Sequence, residues 1–382
     1  MRLESLAVEN FRNLAAQEVR FSPGVNAIVG KNGQGKTSVL EAIYLLAQNR
    51  SFRPGMLADL LSWKHPELAA RVAAEISSAD GNRRVSYEIA GGRRRVRIND
   101  KPVDNSRGFY GSVRAVEFTP EDLSLVRSEP AARRAFIDRI LAMVDPGFVE
   151  SVVSYERALK NRNSLLRSQR EARLPARELT IQLESLEKLL IEYGRPTVAA
   201  RARFIREFTP AVIDIYARLA AHRESLSFRY QSELLDGDRL KELEELRADY
   251  AAERGHDIAR GRTHLGPHRD DLVIELDTGS GAKGARVSAS QGQTRSIALA
   301  LKMGAVGFLE QATGEPPIVL LDDVESELDS VRRGALIELI QAEKHQVILT
   351  TIDNSSLVAH LGGRCDLKPI EEGLLRSTEA PL

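Results

Sequence analysis

A glycine-rich segment near the start constrains this chain more than any other feature. Residues 30–37 fit the pattern G-x-x-x-x-G-K-T, with the apolar run Val25 to Val29 before them and helically spaced apolar residues from Lys36 to Ala47 after them. A strand, a glycine loop and a helix in this order suit phosphate binding, because backbone N–H groups and the helix N-terminus attract anions. The expected nucleotide contacts are Gly30, Lys31, Asn32, Gly33, Gln34, Gly35, Lys36 and Thr37.

A second segment supplies the acids that such a loop needs. The apolar run Ile318 to Leu321 predicts a buried parallel strand, and it ends in Asp322 and Asp323. We expect Asp322 and the Thr37 hydroxyl to hold Mg²⁺, Asp323 to polarise the attacking water, and Lys36 to reach the β- and γ-phosphates. These expectations make Lys36, Asp322 and Asp323 the catalytic group. Taken alone, two acids after a strand would equally suit a helix N-cap.

A third segment resembles a second anion cradle. A helix is predicted from Gln293 to Gln311, with Ser290 and Gly292 just before it and Gln293 at its start. A hydroxyl, a glycine and free helix N–H groups meet there. An ordinary serine N-cap is the alternative interpretation of this segment on its own.

The order of predicted elements indicates an α/β fold split by a mostly helical insertion. Alternating segments between Ala69 and Val103 predict hairpins, and the part from Glu121 to about Glu253 has helical apolar spacing. Pro175, Pro196 and Pro210 are expected to cut that part into pieces too short for a long coiled coil. The predicted domains are 1–120 and 261–382, together an ATPase lobe, and 121–260, a helical lobe.

The balance of charge is uneven along the chain although its total is zero, with 54 basic and 54 acidic residues. Residues 83–107 hold eight bases and three acids, residues 151–180 seven bases and three acids, and residues 231–253 three bases and eight acids. A strongly basic nucleic-acid binder is excluded, but local arginines could contact the backbone of duplex DNA. Solvated surface is the alternative, and which arginines would contact DNA stays open.

Other features bear on compartment and metal binding. The only cysteine, Cys365, allows no intramolecular disulfide, the first residues lack the apolar core of a signal peptide, and no apolar run is long enough to span a membrane. We therefore expect a cytoplasmic protein with no membrane contact. His264 and His268 lie among glycines and a proline rather than on a helix, so we expect them to order a loop rather than bind a metal.

The motifs together resemble a known superfamily. The motifs follow the order found in an ABC-type ATPase head: a phosphate loop, a helical insertion, S-x-G-Q, an apolar strand ending in two acids, and then Ser326 to Asp329. The insertion is similar to that of the structural-maintenance and double-strand-break-repair branch, also called SMC/Rad50-like. Finer matches resemble the RecF family; they include Asn10 to Asn13, Leu40 to Tyr44, Arg50 to Arg53, Phe118 to Leu123, Leu265 to Asp271 and Ala289 to Gln293.

This resemblance implies an ATP- and Mg²⁺-dependent DNA-binding protein. It adds Arg12 and Asn32 as nucleotide contacts, and it implies that Ser290, Gly292 and Gln293 touch the γ-phosphate held by a second subunit, with Asp329 in a loop crossing that interface. An ATP-dependent homodimer with weak DNA-dependent ATPase activity is implied. Its expected role is to bind DNA at gaps and single-strand/double-strand junctions and, with RecO and RecR, to load RecA in recombinational repair, replication restart and the SOS response.

Two departures from the pattern of ABC heads predict slow hydrolysis. Asp323 stands where such heads usually have a glutamate, and Thr350 and Thr351 stand where many transporters have a switch histidine. Other ABC-type ATPases remain the alternative. A transporter subunit would need far fewer residues between Lys36 and Asp322, and a long-armed chromosome protein would need a longer insertion.

Overall fold

The computed structural model describes residues 1–103, 106–172, 175–323, 330–341, 345–352, 361 and 364–376. The chain divides into two compact units. Unit 1 consists of Met1–Leu123, Asp214–His222 and Gln291–Leu382, and unit 2 consists of Ser124–Ile213 and Arg223–Ser290.

Unit 1 contains two six-stranded sheets. The first is antiparallel, with the spatial order β2 (Gln17–Arg20), β1 (Arg2–Glu9), β4 (Ala70–Ser77), β5 (Arg83–Ala90), β6 (Arg93–Ile98) and β7 (Lys101–Pro102). The second is parallel except at its β17 edge, with the order β17 (Leu374–Leu375), β16 (Cys365–Glu371), β3 (Val25–Val29), β15 (Val347–Thr351), β14 (Ile318–Asp322) and β8 (Ala115–Phe118). Strands β3 and β14 therefore end at the same edge of the second sheet, on either side of β15.

Helix α1 (Lys36–Gln48) lies between these two sheets. It contacts β4 and β5 of the first sheet and β8, β14 and β15 of the second. Every residue of α1 except Thr37 is buried, which explains why the helix has apolar residues on all its faces. The other helices of unit 1 are the short α2 (Ser106–Phe109), α9 (Gln291–Thr313) and α10 (Ser330–Gln341).

Unit 2 combines helices with a small sheet. The sheet has the order β13 (Lys283–Gly284), β12 (Asp271–Asp277) and β9 (Ser225–Gln231), and a separate hairpin joins β10 (Leu235–Asp236) to β11 (Arg239–Leu240). The helices are α3 (Ser124–Arg127), α4 (Pro130–Val144), α5 (Pro146–Ala172), α7 (Leu243–Arg260) and α8 (Ala285–Ser288), and α6 (Ala176–Leu219) starts in this unit. No helix in the described parts of the chain combines the length and the apolar character that crossing a bilayer requires.

The expectation that prolines would divide the helical insertion holds at Pro175, which lies between α5 and α6, but it is wrong at Pro196 and Pro210. Helix α6 continues for 44 residues through both Pro196 and Pro210. A proline inside a helix removes one backbone donor, but Leu190, Ile191 and Val198 around Pro196 are buried in a cluster with residues of α5 and α7. This packing outweighs the local preference of proline for a break.

A buried ionic cluster links the three long helices of unit 2. The Arg162 guanidinium on α5 is fully buried and donates to Asp257 on α7 at 2.6 Å and to Glu187 on α6 at 2.9 Å. Since a buried charge without a partner is costly, these carboxylates define how α5, α6 and α7 align.

The all-round burial of α1 gives a first prediction. Leu45 is fully buried within the core that joins both sheets, so Leu45→Ala should lower the free energy of unfolding by about 2–5 kcal/mol. Urea unfolding followed by circular dichroism measures this change. Leu189→Ala, at a partly exposed site, is the control and should change it by about 0.5 kcal/mol or less. Equal effects of the two variants would contradict the packing described here.

Candidate nucleotide site

The loop from Gly30 to Gly35 has a conformation that only glycine accommodates at its two ends. Gly35 has φ of +107° and precedes α1, and a Cβ atom at Gly30 would lie 2.6 Å from the carbonyl oxygen of Ile370. The loop connects β3 directly to the N-terminus of α1. The N-terminus of this helix, with its positive dipole end, therefore offers a position for an anion beside the loop.

Lys36 and Gln34 are held by contacts within unit 1. The Lys36 ammonium donates to the carbonyl oxygens of Gly30 at 2.6 Å and Lys31 at 3.1 Å, and it lies 3.5 Å from Oδ1 of Asn32. Gln34 accepts from the backbone N–H of Glu372 at 2.6 Å, which ties the loop to the turn between β16 and β17. Gln34 thus has an anchoring contact in this structure.

Asp322 forms the link between the loop and the neighbouring strand. Its Oδ1 accepts from Thr37 Oγ1 at 2.9 Å and from Thr350 Oγ1 at 2.8 Å. Burial raises the pKa of Asp322, and the hydrogen bonds from Thr350 and Thr37 partly oppose that rise. A carboxylate and a hydroxyl so close together are the hard oxygen ligands that Mg²⁺ prefers.

Asp323 follows at the end of β14 with a different environment. It is exposed, has a positive φ of 47°, and its backbone N–H donates to Thr350 Oγ1 at 3.0 Å. Thr350 therefore contacts both acids. Sequence reasoning noticed Thr350 only as the replacement of a histidine and missed this position.

A cavity of about 480 Å³ surrounds these groups. Eight of the residues expected at the site line it: Arg12, Asn32, Gly33, Gly35, Lys36, Thr37, Asp322 and Asp323. Five others line it that were not expected there: Asn13, Ser38, Arg53, Trp63 and Thr350. Asn13 donates to the Gly33 carbonyl at 3.0 Å and accepts from Ser38 Oγ at 2.8 Å, so it braces the loop.

Arg12 lies at the cavity, but its guanidinium is already engaged. It forms a two-point pair with the buried Glu41 of α1, at 3.0 and 2.6 Å, and donates to the Asp59 carbonyl at 2.6 Å. Ser51 and Arg53 contact the same carboxylate, at 2.5 and 3.4 Å. Glu41 thus holds two cavity-lining arginines in place, a role that its position inside a helix did not reveal.

The S-x-G-Q residues lie at the start of α9. Ser290 is exposed directly before the helix, and Arg332 donates to the Gly292 carbonyl at 2.7 Å and to Ser296 Oγ at 2.8 Å. Gly292 and Gln293 are absent from the residues that line the cavity around Lys36. Asp329 lies outside the described residues.

His264 and His268 both form hydrogen bonds within unit 2. His264 Nδ1 lies 2.8 Å from Asp257 Oδ1, and His268 contacts Tyr155 Oη at 2.6 Å and the Thr263 carbonyl at 3.1 Å. Burial lowers the pKa of His268 to about 4, so this ring is neutral at pH 7. His256, Asp257 and His264 place ligand atoms within 4.8 Å of one another, but Asp257 also pairs with the buried Arg162.

Comparisons with known proteins agree with this architecture. The family model "RecF/RecN/SMC N terminal domain" matches residues 2–360. The chain is 38% identical to the DNA replication and repair protein RecF of Heliobacterium modesticaldum, over 99% of this chain and 100% of that protein. It is 37% identical to the RecF protein of Geobacter metallireducens, over 94% of each chain.

Solved structures show the same likeness. A structure of the recombination mediator protein RecF-ATP in the RecFOR pathway is 28% identical, has a TM-score of 0.87, and covers 98% of this chain and 97% of its own. An Smc head domain derived from Pyrococcus furiosus, 17% identical with a TM-score of 0.54 over 98% of this chain and 95% of its own, shares the fold alone. The predicted fold class, an ABC-type ATPase head, is confirmed.

The raised pKa of Asp322 predicts a pH-dependent stability. Because the folded state binds this proton more tightly than the unfolded chain, the ionised carboxylate destabilises the ligand-free protein at neutral pH. Asp322→Asn should therefore raise the free energy of unfolding at pH 7, and the gain should shrink as the pH falls through the raised pKa toward the ordinary aspartate value. Urea unfolding at several pH values measures it.

A matched control separates burial from charge. Asp80→Asn removes an exposed carboxylate of the same unit and should change stability by about 0.5 kcal/mol or less at any pH. If Asp322→Asn lowered the stability at pH 7, the buried carboxylate would be net stabilising, contrary to the environment described above.

Proposed function

This chain belongs to the RecF family, within the RecF/RecN/SMC N-terminal domain group of ATPases, and from that premise we propose that it is an ATP-switched DNA-binding protein. One observation carries the nucleotide half of this proposal. The Thr37 hydroxyl at the start of α1 and the Asp322 carboxylate at the end of β14 meet at 2.9 Å inside the cavity that the glycine loop lines.

The residues around the loop fit a magnesium-bound triphosphate. A Cβ at Gly30 would collide with the Ile370 carbonyl and one at Gly35 with the Leu14 side chain, so glycine lets the loop pack closely against its neighbours. Lys36 would turn from its loop acceptors to the β- and γ-phosphates, and Thr37 and Asp322 would hold Mg²⁺. The bound metal supplies charge neutralisation at the phosphates. Arg53, held by Glu41, adds a further cation at the cavity.

We propose that hydrolysis by this site is slow. Asp323 would polarise an attacking water, but its side chain is one methylene shorter than the glutamate usual at this position in ABC heads. Thr350 offers a hydroxyl, not an imidazole, and that hydroxyl already bonds to Asp322. With a shorter carboxylate and no imidazole to position the water, hydrolysis would be slow and nucleotide would act mainly as a switch.

We propose that the switch is an ATP-dependent homodimer. Ser290, Gly292 and Gln293 of one copy would contact the terminal phosphate bound by Lys36 and Thr37 of the other, and Asp329 would lie in the crossing loop. Two observations support it: Ser290 is exposed at the start of α9, and Arg332 adds positive charge beside Gly292.

The DNA half of the proposal rests on strand β6. Arg93, Arg95 and Arg97 alternate with Arg94 and Val96, so the three share one face, and all three are exposed. Arg94 is on the other face and donates to the Asn49 carbonyl at 3.1 Å. The exposed row suits phosphate contacts at gaps or single-strand/double-strand junctions, where RecO and RecR would act with this protein to load RecA.

The dimer proposal has a direct test in light scattering. Wild-type protein should be monomeric without nucleotide and dimeric with ATP and Mg²⁺, and only the dimer should show raised DNA affinity. Ser290→Arg should bind ATP but stay monomeric, because a bulky cation replaces the small hydroxyl at the interface. Ser168→Arg, at an exposed position on α5, is the control and should dimerise. Normal dimerisation of Ser290→Arg would contradict the two-subunit site.

The DNA proposal predicts a change in salt dependence. Replacing Arg93, Arg95 and Arg97 together by glutamine should reduce the slope of log K against log salt by up to about 3, since each phosphate contact contributes about 0.9. Fluorescence anisotropy of labelled duplex DNA with a single-stranded tail measures it. Replacing the exposed Arg203, Arg218 and Arg247 removes the same charge elsewhere and should leave the slope nearly unchanged. An unchanged slope in the β6 variant would remove this strand from the interface.

A further inference from the structure

Two histidines of unit 2 lie beside each other at the end of helix α7. The rings of His256 and His264 are stacked, with 4.4 Å between their centroids. One candidate ligand atom from each of His256, Asp257 and His264 lies within 4.8 Å of the other two. Histidine nitrogens and carboxylate oxygens grouped in this way are typical of zinc sites. The nucleotide site described above lies in unit 1 and uses none of these groups.

The carboxylate beside each ring leaves the same nitrogen of both rings for a ligand. His264 Nδ1 lies 2.8 Å from Asp257 Oδ1, and His256 Nδ1 lies 3.2 Å from Glu253 Oε2. Because an ionised carboxylate can only accept a hydrogen bond, each Nδ1 carries the proton and each Nε2 has a lone pair. A carboxylate that orients a histidine in this manner is the usual outer partner of a metal-bound imidazole.

His264 Nε2 lacks the partner that a buried polar atom needs. It is shielded from solvent and has no hydrogen bond to any residue that the structure describes. A metal ion would take up its lone pair. The His256 side chain is 47% exposed, so its ring can rotate and bring Nε2 toward the same ion. Tetrahedral zinc with bonds of about 2.0–2.1 Å places two ligand nitrogens about 3.3 Å apart, a small closing movement for stacked rings.

The turn that carries His264 is fixed by contacts with helix α5. Asn163 Oδ1 accepts from the backbone N–H and the hydroxyl of Thr263, both at 2.8 Å. Arg162 donates to Thr263 Oγ1 at 2.9 Å and to Oδ2 of Asp257 at 2.6 Å. The Arg162 pair therefore leaves Oδ1 of Asp257 for His264 and holds that carboxylate in place. One of the two rings is thus positioned before any metal binds.

The surroundings of the two rings provide room and charge for a cation. A cavity of about 450 Å³ is lined in part by Glu253 and His264, so water can complete the coordination of an ion there. The charged groups in the connected contacts and along this cavity are the carboxylates of Glu184, Glu187, Glu233, Glu253 and Asp257 and the guanidiniums of Arg162, Arg254 and Arg269. Acids outnumber bases, which favours a cation over an anion.

We propose that unit 2 binds one zinc ion through Nε2 of His256 and Nε2 of His264, with Glu253 and Asp257 orienting the two rings and water in the remaining positions. The ion joins the last turns of α7 to the turn that follows it and so stabilises unit 2. Two imidazole ligands favour Zn²⁺ over Mg²⁺, which prefers oxygen ligands. This site requires no nucleotide and is independent of the proposed switch.

Calorimetry on the untagged full chain tests the proposal. The protein is freed of metal with a chelator and titrated with zinc chloride in excess Mg²⁺, which competes with zinc at the Asp322 carboxylate. Wild-type protein should bind one zinc ion per chain in a saturable way. Absence of zinc binding by the wild-type protein would overturn the proposal.

Two matched variants locate the ion in the same titration. His256→Ala removes one of the two protein ligands and should weaken zinc binding at least ten-fold, since loss of even an outer partner costs about 10–100-fold. His65→Ala removes an exposed histidine that lies 3.6 Å from Glu67 in unit 1, and it should bind zinc as the wild-type protein does. Wild-type zinc affinity in His256→Ala would overturn the site.

Spectroscopy and melting give a second, independent readout. In protein labelled with ¹⁵N at its seven histidines, zinc should shift the Nε2 signals of His256 and His264 and leave the other five unchanged. Zinc should raise the Tm of the wild-type protein but not that of His256→Ala, because an ion that binds only the folded state stabilises it. Without zinc the two proteins should melt at nearly the same temperature. Zinc-induced shifts confined to other histidines, or an equal rise in Tm for both proteins, would contradict the proposal.

Discussion

The burial of α1 between two sheets is the constraint on which the site depends. A helix that packs against β4 and β5 on one side and β14 and β15 on the other cannot rotate or slide without opening the core. Its first residues, Lys36 and Thr37, are therefore held at the carboxyl edge of the parallel sheet. Ligand sites in parallel sheets form at this edge because strand ends and helix N-termini meet there.

Burial of the Asp322 carboxylate is the energetic penalty of this arrangement. Hydroxyls from α1 and β15 converge on one carboxylate oxygen, which joins three elements at a single atom. The same burial that creates this junction raises the pKa of the carboxyl, so the charged form is held against its preference for water. A divalent cation at this position would remove that penalty. If the site holds Mg²⁺ as proposed, the ligand-free protein would be less stable than it could be because the site is prepared for a cation.

The sequence predicted those parts of the site that lie in one short segment. The glycine loop, β3, α1 and the acids after β14 were predictable because each lies within a contiguous sequence pattern. Thr350 and Trp63 were not, since each reaches the cavity through tertiary folding and neither belongs to a contiguous pattern. The error at Pro196 has the same origin: a local rule predicted a break, and packing against α5 and α7 overrode it.

In the proposed switch, two copies of the protein contact the same nucleotide, and this couples nucleotide binding to dimerisation. If the loop of one copy and Ser290 of another both contact the same terminal phosphate, then nucleotide strengthens dimerisation and dimerisation strengthens nucleotide binding by the same coupling free energy. The proposed slow hydrolysis would fit this linkage, because such a dimer would persist for as long as the terminal phosphate does. Asp323 and Thr350 would then set the rate of hydrolysis, and a group that positions water better at either residue would shorten the life of the DNA-bound state.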